Sequence, residues 1–204
     1  MNNDLIQLIK ERRSIRSFQK EPLKKDEIDA IIQAGKYAPS AKDAQPWRFI
    51  VITNASKIKK LSELAKSEIK TILKRRWIYQ LFAKDLRNKK VLQSLYVLSM
   101  AEKDAIFYNA PVLIFIVTKK GLFNNESCAC CAQNMMLAAH SLGIGSCWIG
   151  YANFLERNNQ IASEIGIPSD MHIVAALIFG YPKKEKKQIP IRKPMADVIN
   201  WIEQ

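Results

Sequence analysis

Three short apolar runs constrain this 204-residue chain more than any other feature. Trp47–Thr53 (WRFIVIT), Val112–Thr118 (VLIFIVT) and His172–Phe179 (HIVAALIF) are nearly all apolar and rich in β-branched or aromatic residues. Such runs read as strands buried on both faces, so the chain must also supply helices to cover the sheet they form. Gly145–Ile149 is a further, shorter strand candidate.

The covering helices are legible between the strands. Asn3 or Asp4 can cap a first helix that carries Leu5, Ile6, Leu8 and Ile9 on one face and ends in the basic cluster Glu11–Arg16. Asp26 to about Tyr37 repeats Ile28, Ile31, Ile32 and Ala34 at helical spacing, with Pro39 as its stop. Helical patterns run from about Ser56 to Ala83 and from Val91 to Lys103. Ser127–Leu142, rich in Ala and Met, reads as a buried helix capped by Gly143. Asn153 can cap a helix that reaches about Ile165, and a last short helix is expected over Ala196–Ile202, beyond the basic arm Gly180–Pro194. With no repeat, linker or low-complexity block, the expectation is one α+β domain over residues 1–204.

Charge narrows the function. The formal net charge is +13, concentrated in Lys10–Lys25 (net +5), Lys57–Lys90 (net +9) and Lys183–Lys193 (net +5). A basic balance of this kind attracts an anion, whether nucleic acid, an acidic membrane surface or a phosphorylated small molecule, and it equally describes a solubilising surface. The start, MNNDLIQLIKERR, lacks the apolar segment of a signal peptide, and no apolar run approaches the ~18–20 residues of a bilayer span. The expected location is cytoplasmic, with Cys128, Cys130, Cys131 and Cys147 reduced.

Three segments carry residue types suited to a ligand. Arg12, Arg13, Ser14 and Arg16 crowd three guanidinium groups and a hydroxyl into a helix end. They suit either phosphate oxygens or the carbonyl end of the helix dipole. Ala38–Trp47 (APSAKDAQPW) offers Ser40, Asp43 and Gln45 between two stiffening prolines, which fits a flat polar-edged heterocycle or an ordinary turn. Gly143–Gly150 (GIGSCWIG) follows a helix and enters a strand, the reverse of the order a dinucleotide fingerprint needs; its glycines let backbone amides approach a ligand. No phosphate-binding loop ending in Lys-Ser/Thr is present, and the irregular Cys-x-Cys-Cys reads as small core hydrophobes rather than a metal site. His140, within the Ala-rich helix, reads as structural.

In this order, RRSIRSF, APSAKDAQPWRFIV, AAQNMMLAAHSLGIGSCWIG and FGYPKKEKKQIPIRKP resemble the FMN-dependent nitroreductase family, over about Leu5–Val198. The resemblance implies a central mixed, mostly antiparallel sheet covered by helices, an intertwined homodimer, a variable helical lid at about 57–108 and a C-terminal arm at about 181–204. It implies bound FMN, with NAD(P)H as electron donor and a small-molecule electron acceptor. On the same footing Arg12 would meet the FMN phosphate and Arg16 the pyrimidine edge of the ring, with Ser14 also on the cofactor and Arg13 acting mainly through its backbone. Pro39, Ser40, Ala41, Asp43 and Gln45 would come from the partner subunit. The family's usual residue at position 43 is Asn; Asp43 keeps the acceptor and loses the amide donor. Trp148, Ile149 and Gly150 would line the ring, with the Gly150 amide toward flavin N5, and Arg192 and Lys193 would complete the phosphate site.

The mechanism implied is ping-pong: NAD(P)H gives hydride to flavin N5, the nicotinamide leaves, and a nitroaromatic, quinone or related acceptor takes its place. No acid or base residue is expected to be catalytic, and no metal, nucleic acid or membrane is expected as partner. The same family resemblance leaves room for a dehalogenase, an ene-type reductase or a flavin-cleaving enzyme. A distant alternative is a nucleic-acid module in which Lys59, Lys60, Lys66, Lys70, Lys74, Arg75 and Arg76 interleave with Trp77, Tyr79 and Phe82.

Overall fold

Seven consecutive residues of one strand, Val112 to Thr118, are buried, and the fold is built around them. The computed structural model describes residues 4–82, 84–184 and 192. Strand β2 (Val112–Lys119) lies between β1 (Arg48–Ile52) and β4 (Met171–Gly180), and β3 (Gly145–Trp148) flanks β4, giving the order β1-β2-β4-β3. Alternation along β2 divides the core in two. Leu113, Phe115 and Val117 enter one cluster, and Val112, Ile114 and Ile116 enter the other.

The second cluster is closed by α2 (Lys25–Lys36) and α6 (Asn124–Ser141), which bring Ile28 and Ile31 against Cys131 and Met135. Their approach is close: a Cβ added at Gly35 would fall 2.6 Å from Met135 Cγ. The first cluster is covered by α3 (Ala55–Lys74), whose Ile58, Leu61, Ala65, Ile69 and Ile72 recur every three or four residues. Helices α4 (Arg76–Phe82) and α5 (Lys89–Met100) extend that layer, and α1 (Asp4–Glu11) packs beside α6.

The structure corrects several boundaries. All four strands pair antiparallel, and the parallel component of the expected mixed sheet is a single bridge between Ser14 and Ser146. The helix expected over Ser56–Ala83 breaks at Arg75, because Lys74, Arg75 and Arg76 put three charges where the apolar face would continue. Helix α6 starts at Asn124, ahead of the expected Ser127, because its first turn is polar and carries no periodic signal. Asn153 caps nothing. Gly150–Arg157 is a 3-10 helix that buries Ala152 and Leu155, a spacing of three that suits three residues per turn. The next α-helix, α7 (Asn159–Ile165), is capped by Asn158, whose Oδ1 accepts from the amides of Gln160 (3.1 Å) and Ile161 (3.3 Å). Gly143 does end α6 with a positive φ of 72°. The helix expected over Ala196–Ile202 and most of the arm at about 181–204 lie outside the described residues.

Two features fasten the N-terminal segment to the sheet. Residues 14–19 run along the sheet: Ile15 N donates to Ser146 O on the edge strand β3 (2.9 Å), and Gln19 N donates to Tyr181 O just past the end of β4 (2.8 Å). Gly145 permits this approach, since a Cβ there would lie 2.9 Å from Ile15. That glycine therefore makes room for the Ile15 side chain.

Candidate functional site

Helix α1 ends at Glu11, and its last carbonyls are met by Arg13, whose Nη1 donates to Lys10 O (3.1 Å) and Arg12 O (2.9 Å). Arg12 points elsewhere. Its guanidinium is partly buried, and its buried Nη1 has no hydrogen-bond partner among the described residues. Burial pulls the Arg12 pKa below its ordinary value; the neighbouring cations Arg13 and Arg192 act in the same direction, while Cys147 opposes them. The described ion pairs, Lys60–Glu164, Lys66–Glu63 and Lys119–Asp170, leave Arg12 out.

On β3, Ser146 is almost wholly buried, and its Oγ has no partner among the described residues. Ser14 bridges to Ser146, which ties the N-terminal segment and β3 into one wall. His140 of α6 feels the same cluster. Its pKa is lowered by burial, Glu11 opposes the shift, and Arg12 and Arg13 add to it. A buried guanidinium donor left open among neighbouring cations has the chemistry that suits an anion.

Arg16 continues the wall outward. It is exposed, with Cζ 6.0 Å from the centre of the Tyr108 ring. On the strand side, Trp148 is half-buried and Ile149 is locked by its amide to Ala176 O (2.8 Å). Gly150 is exposed and a Cβ added there would meet nothing within 4 Å. It opens a helix, where its amide is not used by intrahelical bonding. Arg192 is exposed within electrostatic reach of Arg12, and Lys193 lies outside the described residues.

The other expected segment is elsewhere. Ser40 Oγ accepts from Gln45 N (3.1 Å), Gln45 Nε2 donates to Asp43 Oδ1 (3.0 Å), and Pro46 O accepts from Thr118 Oγ1 (3.0 Å). Lys42, Asp43 and Gln45 all have positive φ, so the loop around Pro39, Ser40 and Ala41 is a tight, internally bonded turn. Thr118 lies six residues along β2 from Val112, which sits level with Ser146 through Phe179. Six residues span about 20 Å, and β1 to β3 crosses three spacings of about 4.8 Å. The loop and the arginine cluster therefore occupy opposite corners of the sheet in one protomer.

Reasoning from sequence missed Ser146 and Tyr108. Ser146 sits inside the quoted GIGSCWIG, where a lone hydroxyl between Gly and Cys gave no periodic signal. Tyr108 lies in the stretch where the family resemblance is thinnest. The cysteines pack as hydrophobes: burial pushes Cys128 up to about 11 and Cys131 up to about 12. Among the described residues no group of three or more His, Cys, Asp or Glu is placed to hold a metal. The basic region does not form a continuous strip either. Lys66 is buried, donating to Ala101 O (3.0 Å) and pairing with Glu63 (2.7 Å), and Tyr79 packs under Arg157 at 4.7 Å. No described helix is long and apolar enough to cross a membrane.

This α+β frame is shared with known proteins. The sequence profile of the nitroreductase family matches residues 9–181. A crystal structure of a nitroreductase with bound FMN from Bacteroides fragilis superposes with a TM-score of 0.78 at 26% identity, covering 99% of this chain and 100% of that one. The FMN reductase [NAD(P)H] of Bacillus subtilis is 27% identical over 92% of this chain and 70% of its own length. The nitrobenzene nitroreductase of Ectopseudomonas oleovorans is 26% identical over 85% of each chain. The chain belongs to the nitroreductase family, and it is an oxidoreductase.

Proposed function

We propose that this chain is an NAD(P)H-dependent FMN oxidoreductase acting on nitroaromatic, quinone or related small-molecule acceptors. The observation that carries the reading is the pair of buried groups without a partner among the described residues, Arg12 Nη1, which has Arg192 within electrostatic reach, and Ser146 Oγ, on the strand bridged to Ser14. Leaving such groups unpaired costs about 1–3 kcal/mol each, and a phosphate oxygen would remove that cost. The FMN-bound relative and the reductase relative support the same assignment.

FMN, when bound, supplies the redox chemistry, taking hydride from NAD(P)H and passing reducing equivalents to an acceptor. The protein's task is to hold and orient it. Arg12, Ser14 and Arg192 would grip the phosphate, with Lys193 beside them, and Arg13 stiffens the helix end from which they project. Arg16 would place its positive charge at the pyrimidine edge. Trp148 and Ile149 form a wall, and Gly150 leaves its amide and the space above it open. One protomer cannot bring Pro39, Ser40, Ala41, Asp43 and Gln45 to that site, because they stand at the opposite corner of its sheet. A symmetric homodimer can, each protomer lending its loop to the other's arginine corner. The exposed apolar face of α1, with Leu5 60% and Ile6 48% exposed, is surface such a dimer would cover.

The test is direct. Purified protein should absorb at about 450 nm, as oxidised flavin does, or take up added FMN as a dimer with two sites. NAD(P)H should then be oxidised in an acceptor-dependent manner. Protein that stays colourless and takes up no FMN refutes the proposal, and monomeric protein with full flavin occupancy refutes the shared site.

A further inference from the structure

Tyr108 stands in a conformation its side chain disfavours. Its φ is 57°, and Asn109 beside it has φ 51°. Asn tolerates the left-handed region, whereas a bulky aromatic there is an outlier costing about 1–3 kcal/mol. Glycine would adopt the turn without strain, yet this chain places a large ring at the position. The turn is held by Asp104, whose Oδ1 accepts from Ser62 Oγ (2.6 Å) and from the amides of Ile106 (3.1 Å) and Phe107 (2.8 Å), while its Oδ2 accepts from Asn109 N (2.9 Å). Ala110 N closes the turn on Phe107 O (3.0 Å).

The pinned turn presents its ring to one cation. The Tyr108 ring is half-buried against the core cluster, and Arg16 Cζ lies 6.0 Å from its centre. Burial raises the Tyr108 pKa, Arg16 opposes the shift, and Cys147 and Tyr151 lie within electrostatic reach. Cys147 is also a neighbour of Arg12, so Tyr108 belongs to the wall that holds the anion site. Asn109 faces the other way, lining an open cleft of about 480 Å3 with Lys20, Thr53, Ser56 and Lys59. None of the residues assigned to FMN lines that cleft.

We propose that Tyr108 is a positioning residue for Arg16. The ring, fixed by the Asp104 turn, holds the exposed guanidinium by cation–π attraction in the place where it meets the cofactor. The inference rests on the proposed function, in which Arg16 meets the pyrimidine edge of FMN. A charge held there favours reduced, anionic FMN over oxidised FMN, so the ratio of the two affinities reports where Arg16 is held.

The test measures the affinities of oxidised and of reduced FMN under anaerobic conditions for wild type, Arg16→Gln, Tyr108→Leu, Tyr108→Phe and the double variant Arg16→Gln/Tyr108→Leu. A cation–π contact at an exposed site corresponds to roughly a two- to fivefold effect. Tyr108→Leu should lower the preference for reduced FMN by about that factor, Tyr108→Phe should retain it, and Tyr108→Leu should add nothing once Arg16 is gone. If Arg16→Gln lowers the ratio and Tyr108→Leu does not, the inference is wrong and the FMN site stands. If FMN binds but Arg16→Gln leaves the ratio unchanged, Arg16 does not meet the ring edge and the inference falls with that placement. If wild type binds no FMN, the functional reading itself fails. Should Tyr108→Leu not fold, Tyr108→Met, a long apolar side chain without a π face, must show the same loss or the inference is overturned.

Discussion

Replacing Arg12 with Met should move stability in opposite directions with and without FMN. Met keeps an unbranched apolar stem and removes a guanidinium whose buried Nη1 has no partner among the described residues, in a place already crowded by Arg13 and Arg192. An unsatisfied buried polar group costs about 1–3 kcal/mol. Allowing for partial burial, the flavin-free variant should gain about 1 kcal/mol, a rise of about 2–4 °C in Tm for a chain of this size. With FMN the sign reverses. A charge-assisted hydrogen bond to phosphate contributes about 1.5–3 kcal/mol, so the variant should bind FMN about 10- to 150-fold more weakly. At an FMN concentration 100 times the wild-type Kd, stabilisation by ligand should fall from about 2.7 kcal/mol to between about 1.4 and 0.3 kcal/mol. Thermal melts of flavin-free protein over a series of FMN concentrations, with calorimetric titration, measure both effects. A variant destabilised without FMN and unchanged in FMN affinity would show that Arg12 is structural, and the argument from its open Nη1 would fail.

Asp104→Ala should cost about 3–4 kcal/mol, because the hydroxyl of fully buried Ser62 and the amides of Ile106 and Phe107 lose their acceptor while Asn109, at the surface, can turn to water; urea titration checks it, and a loss below about 1 kcal/mol would show that the turn stands without its carboxylate. Glu156 accepts from Ile173 N beside the register shift between β2 and β4, and burial raises its pKa to about 7. Since the folded state then holds a proton that the unfolded state releases above about pH 4.5, this group's contribution is greatest at low pH and is lost as pH rises toward 7, by about 1–3 kcal/mol. Glu156→Gln should flatten that decline, and an unchanged pH–stability curve would refute the assignment. Exchanging Lys74, Arg75 and Arg76 for Gln should raise the apparent KM for NAD(P)H, with the wild-type KM rising with salt more steeply than the variant's, if this basic shoulder attracts nucleotide phosphates; equal KM values at low ionic strength would reduce the shoulder to solubilising surface.

How much of the molecule was legible depended on the range of the interactions involved. Apolar runs announce buried strands because burial acts on each side chain where it stands, so β2 and β4 could be read directly; β1 was placed as a strand, but at the sheet edge only Ile52 of it is buried, against the expected burial on both faces. Helices with an apolar stripe, α2 and α3, were legible for the same reason. Boundaries set by other elements were not. The break at Arg75, the polar first turn of α6 and the 3-10 helix before Asn158 answer to neighbours distant in sequence. Residue chemistry pointed to Arg12, Ser14 and Arg16, since guanidinium groups crowded at a helix end want an anion, but it passed over Ser146 and Tyr108. A serine acquires significance when its hydroxyl is buried without a partner, and a tyrosine when its backbone is held in a disfavoured region.

By itself, then, the sequence determined an α+β domain with a doubly covered sheet, and family-wide motifs that point to a flavin oxidoreductase. Only the tertiary structure decided which of those motifs meet. It brought Arg192 within electrostatic reach of Arg12, set Ser14 against Ser146 and Arg16 over Tyr108, and sent the Pro39–Gln45 loop to the far corner of the sheet. The physical reason is that hydrophobic patterning is a local property of the chain, whereas electrostatic and hydrogen-bonding partners are assigned by strand order and register. Neither can be read until the sheet is assembled.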